Sequence, residues 1–180
     1  MKFKLLIAGI IILSLSAFLL RIYQLHDTVA VSNKESYSCG YVPYVDSFLC
    51  IDIDGKVLSV TDAVYNNLPI IEGLKFKNFA VGSYLETDNN EVFNTIAMLV
   101  KLFNKYELGE NFISKIDVAN LDNIYLYTNN VEVAFGSNKD ADEKIRTLKE
   151  IMANLHVAEN VKGLLDIRVI GRQYIFTVLT

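Results

Sequence analysis

Phe48-Leu49-Cys50-Ile51-Asp52-Ile53-Asp54-Gly55-Lys56-Val57-Leu58-Ser59-Val60 decides how this 180-residue chain folds. Two apolar-rich runs flank an Asp-Gly pair, and Asp-Gly accommodates the positive φ that a tight turn between paired strands demands. The stretch predicts a β-hairpin. Connections this short imply antiparallel pairing, so the flanking segments are read as additions to a sheet.

Toward the C terminus, Leu68-Pro69-Ile70-Ile71-Glu72-Gly73 is a short extended segment, with Pro69 suited to an edge or crossing position. Asp88 with Glu91 marks a helix start, and the spacing predicts a helix over 89–105. Val92, Ile96, Leu99 and Phe103 fall on its buried face, with Val100 beside them. Segments 112–118 and 124–128 alternate like strands, and Asn129-Asn130 joins the second to Val131-Glu132-Val133-Ala134-Phe135. A second helix is expected over 140–155, burying Ile145, Leu148, Met152 and Leu155 with Ile151 near them. Its charged residues Lys144, Arg146, Lys149 and Glu150 read as a solvated face.

The chain ends in a second hairpin, 164–169 and 173–179 about Gly171-Arg172. In its first strand Leu165, Ile167 and Val169 share one face, while Asp166 and Arg168 share the other and are placed to form a surface ion pair. The order is strands, helix, three strands, helix, two strands. It predicts an α+β fold, a mostly antiparallel β-sheet with two packed α-helices.

Toward the N terminus, residues 24–43 are polar and aperiodic and read as a tether. Before them, Leu5 to Leu20 is uncharged and mostly aliphatic. Extended to residues 5–23, with Lys4 and Arg21 snorkelling, it predicts an N-terminal transmembrane helix acting as a signal anchor. Lys2 and Lys4 place residues 1–4 in the cytoplasm by the positive-inside rule, which leaves 44–180 as an extracytoplasmic domain. The rival reading is a cleaved signal peptide with Ser14-Leu15-Ser16 near the cleavage site, although Phe18-Leu19-Leu20 continues the apolar run beyond it.

Beyond Arg21 the chain holds 14 Lys/Arg against 21 Asp/Glu, a net −7, without a basic stripe interleaved with aromatics. Such a surface repels phosphate backbones, and nucleic-acid binding is not expected. Cys39 and Cys50, eleven residues apart, read either as one disulfide or as two independent thiols. Neither a CxxC motif nor a nearby histidine argues for metal. His26 and His156 stand alone, and no nucleophile elbow, phosphate loop or HExxH is present. Asp52 and Asp54 share a strand face, the one carboxylate pair that a hydrolase or Ca²⁺ reading would use; turn geometry is the plainer account. No cofactor is expected.

The order of these pieces resembles the FtsQ/DivIB family of bacterial cell division proteins. Carrying the resemblance are Cys50 to Leu58, Leu68 to Leu74, Gly82, Ile124 to Thr128, Val131 to Gly136, Lys144-Ile145 and Lys162 to Arg168, behind a signal anchor. Only the tether stands where the family usually carries a POTRA module, so the chain resembles a short member without it. The resemblance implies a non-enzymatic scaffold at the division septum, binding bitopic proteins of the FtsB/DivIC and FtsL type through its last strand. Asp166, Arg168, Gln173, Tyr174, Ile175 and Phe176 are the residues it implies for that contact. Tyr174 and Phe176 either anchor the partner or pack beneath the helices. Two other readings share the anchor: an exported sensor or envelope regulator, and an envelope hydrolase.

Overall fold

The computed structural model describes residues 38–65, 68–108, 112–155, 161–171 and 174–179. In chain order the elements are β1 (Ser38–Tyr44), β2 (Ser47–Asp52), β3 (Val57–Thr61), β4 (Ile70–Glu72), α1 (Glu91–Lys105), β5 (Lys115–Asp117), β6 (Ile124–Tyr127), β7 (Val131–Gly136), α2 (Ala141–Asn154), β8 (Lys162–Asp166) and β9 (Ile175–Leu179). The strands form one sheet in the order β3-β2-β1-β4-β5-β6-β7-β8-β9.

The first hairpin forms as its sequence dictates. Leu49 pairs with Val60 and Cys50 with Ser59, and Gly55 takes the left-handed φ of 82° between them. Asp52 reinforces the turn, its carboxylate accepting the backbone N–H groups of Asp54 and Lys56, each at 2.9 Å. That is an Asx-type use of the side chain, and it accounts for an Asp buried to 6% exposure.

Alternation along the strands puts Leu49, Ile51, Ile71, Ile116, Leu126, Val133 and Leu165 on one face, in one core cluster with Val92, Ile96 and Leu99 of α1 and Ile145 and Leu148 of α2. The predicted stripe of α1 is therefore the buried one. The helix begins later than the sequence suggests: Asn90 is its N-cap residue, and Asn89 Oδ1 accepts the Glu91 N–H at 2.9 Å. Asp88 instead faces Lys77 at 3.7 Å. The helices are tied together at their polar ends, where Asp142 accepts from Lys105 and, at 2.8 Å, from the Tyr106 hydroxyl. Those bonds hold the Asp142 carboxyl below its usual range.

Several expectations need correction. The sheet is mixed: β1 with β4, β4 with β5, and β7 with β8 run parallel. A helix joining neighbouring strands returns the chain to the starting end, so β4-α1-β5 and β7-α2-β8 are parallel crossovers. Ser38 to Pro43, read as the end of the tether, form most of β1, which lies between β2 and β4 inside the sheet. Pro69 leads into β4, an interior strand. Its missing N–H costs nothing there, and its carbonyl accepts the Tyr41 N–H at 3.0 Å.

Lys144 is not on a solvated face but is 2% exposed, whereas Arg146 and Glu150 do pair on the surface at 3.0 Å. Val169 does not continue the buried face of β8; the chain has already turned, leaving it 50% exposed. Among the described residues no helix is long and apolar enough to cross a membrane. The predicted anchor, His26 and His156 all fall outside the described residues.

Candidate protein-docking site

The geometry of β9 follows from its register against β8. Phe176 lies opposite Leu165, which is buried on the helix side, so Phe176 takes that side too. Ile175 and Thr177 lie opposite Asp166 and Leu164 on the other face. The Phe176 ring lies over Gly163, where any Cβ would overlap it. Both Tyr174 and Phe176 pack against the core. That packing is one of the two readings of these aromatics, and both rings also keep part of their surface exposed.

Apart from Thr177, what β9 leaves exposed is apolar: Ile175 at 64%, Val178 at 56% and Leu179 at 44%. From Ile175 to Leu179 there is neither a charge nor a proline. Sheet edges are ordinarily guarded by Lys, Pro, a bulge or a covering loop, because unpaired N–H and C=O groups recruit other strands. Among the described residues nothing continues the sheet beyond β9.

The opposite edge is different. Residues 82–85 run beside the start of β3, with Val57 N–H donating to Ser83 O at 2.9 Å, Gly82 N–H to Val57 O at 2.7 Å and Leu85 N–H to Gly55 O at 2.9 Å. A register shift between Cys50 and Ile51 bends the same strand pair.

Just past β8, Asp166 and Arg168 form a forked pair. Arg168 Nε donates to both carboxylate oxygens, at 3.0 and 3.1 Å, and its own N–H donates to Asp166 Oδ1 at 3.1 Å. The guanidinium holds the Asp166 carboxyl below its usual range. The predicted surface pair is thus present, on the same face as Ile175. The Arg168 stem folds against Gly136, whose φ is 75° and where a Cβ would sit 3.1 Å from Arg168 Cγ. Gln173 lies outside the described residues.

Cys39 and Cys50 are two free, buried thiols. Cys39 belongs to the core and donates to Asp52 O at 3.2 Å. Cys50 stands opposite Tyr41 and Ser59, on the face away from that core. Burial pushes the Cys39 thiol up from 9.0 to about 12, with the Asp52 carboxylate adding to it. An unfolded thiol ionises near 9, so this contribution to stability is complete below pH 9 and is lost as the pH rises toward 12.

Within that window the loss runs at roughly 1.4 kcal/mol for each pH unit. Burial raises Cys50 and Tyr127 as well, with the same sign. Lys144, lowered by burial, acts oppositely below its unfolded pKa. Urea midpoints measured from pH 8 to 11 should fall steeply for the natural chain and less steeply for Cys39→Ala. Parallel slopes would remove Cys39 as the cause.

No group of three or more His, Cys, Asp or Glu suited to a metal occurs among the described residues. No protein-family profile matches the chain. Over 155 residues it is 25% identical to cell division protein DivIB of Clostridium tetani (strain Massachusetts / E88), covering 85% of this chain and 58% of that protein. The chain therefore spans well under two thirds of the length of this curated relative.

Proposed function

We propose that this chain is a membrane-anchored, non-enzymatic scaffold of bacterial cell division, whose β9 edge accepts a strand from a partner protein. The observation that carries this reading is the asymmetry between the two ends of the sheet: β3 is bent and partly covered, while β9 is uncharged and, among the described residues, bare. An extended segment added there gains main-chain hydrogen bonds, while the exposed Ile175 and Leu179 offer side-chain contacts.

The likeness to DivIB supports cell division as the setting. The apolar run at residues 5–23 supports attachment to the membrane, with the folded part outside the cytoplasm. Proteins of the FtsB/DivIC and FtsL type, each with a single membrane span, are the partners this reading names. Asp166 and Arg168, held beside β9, would meet polar groups flanking the added strand.

A photo-crosslinking amino acid at Thr177 in the full-length chain tests this in living cells. The expected result is a crosslink to a small single-span protein, with a fluorescent fusion concentrated at mid-cell. A fusion spread evenly around the envelope would instead favour an exported sensor or regulator.

A further inference from the structure

We infer that Lys144 is a positioning residue for the docking site, holding the chain at Gly136 so that Arg168 is seated against Asp166. The inference about Arg168 stands on the geometry alone; only its consequence for partner binding rests on the proposed function.

The Lys144 ammonium is buried and donates to Phe135 O at 3.0 Å and to Ser137 O at 2.9 Å. These two carbonyls flank Gly136 on either side. The left-handed φ of Gly136 lets both meet one cation at the exit of β7. Asp140 supports the approach from α2, its carbonyl accepting the Lys144 N–H at 3.0 Å. The cation also sits 4.8 Å from the Phe135 ring centroid.

Burying an ammonium is unfavourable unless its donors are used, and a leucine or methionine would fill the space at lower cost. What lysine adds is a fixed backbone at residues 135–137. That backbone is the seat of Arg168: its Cγ and Cβ lie 3.1 and 3.4 Å from where a Gly136 side chain would begin. Since β7 and β8 run parallel, with Ala134 opposite Asp166, Gly136 falls beside Arg168. A rotation of the peptide planes around Gly136 would carry Arg168 off the Asp166 carboxylate.

The test uses the full-length chain in detergent micelles, with ¹⁵N-labelled arginine; four arginines give a readable set of Nε–H signals. In the natural chain the Arg168 Nε–H should exchange slowly. In Lys144→Met it should exchange about tenfold faster, while the amides of Leu49 and Leu126 keep their protection. Gly136→Ala disturbs the same seat with Lys144 intact and should also release Arg168, so a poorly folding Lys144→Met does not end the test.

Exchange unchanged in a folded Lys144→Met would overturn the inference, whatever Gly136→Ala does. Unchanged exchange in Gly136→Ala would overturn the seat at Gly136 on which it rests. Crosslinking from Thr177 is read in the same variants, and a fall of about tenfold is expected. Arg168 released with crosslinking intact would confirm the seating by Lys144 and overturn the part of the proposed function that gives Arg168 a place in docking.

Discussion

Ile175→Pro should abolish capture of the partner while leaving most of the domain folded. Proline removes one backbone donor and fixes φ near −65°, which an added strand cannot follow. Among the described residues no strand lies beyond β9. The Ile175 N–H itself faces β8, because Gly163 and Ile167 turn theirs to β7 and Asp166, opposite Ile175, faces β9. The substitution therefore also loosens the outer end of the β8–β9 pairing. A loss of about 3 kcal/mol in binding, more than a hundredfold, is expected from one broken pairing site and a bent edge. The measurement is co-purification of the partner with the full-length chain, with a thermal melt as control. Ile175→Lys supplies the ordinary edge guard and should weaken capture with little change in melting. Normal capture by a folded Ile175→Pro chain would rule out strand addition at this edge.

Gly163→Val is expected to have the largest effect on the fold at this end of the sheet. The Phe176 ring occupies the space a side chain at Gly163 would need. The ring must leave, and with it goes the contact that presses β9 onto the core. Overpacking of this kind costs about 1–3 kcal/mol, and the lost burial of Phe176 adds about 2 kcal/mol. Chemical denaturation measures the sum. Hydrogen exchange should show β9 released first, with α1 and β1 still protected. Phe176→Leu combined with Gly163→Ala should recover part of the loss, because a smaller side chain shares the space; if it does not, the ring is not the cause.

The first hairpin was legible because Asp54-Gly55 is a local signal, and α1 because four apolar residues repeat at helical spacing over three turns. β1 was not legible. Gly40 and Pro43 interrupt its alternation, and the reason for Gly40 is non-local: a side chain there would press on Ile71 and the Pro69 carbonyl. Lys144 misled because a charge on a helix ordinarily faces water. The clue was positional, since Lys144 lies four residues before Leu148 and seven before Ile151, on their stripe.

The parallel pairings were hidden for a different reason. Which strands become neighbours depends on where each helix returns the chain, and no residue in β4 or β8 encodes that alone. At the candidate site, the Asp166–Arg168 pair was readable from its spacing of two. The inward face of Tyr174 and Phe176 required the register with Leu165, which only the paired strands supply.

The order of the strands carries a consequence for how the molecule is assembled. From β5 onward each strand joins the sheet beside the one that precedes it in the chain, always on the same side. No later strand has to force its way between two already paired. The fold thus lengthens in one direction as the polypeptide emerges, and among the described residues β9 is the last strand laid down. A segment from another protein at that position would be laid down by the rule that built the other strands, as the tenth rung of a ladder begun by a different gene.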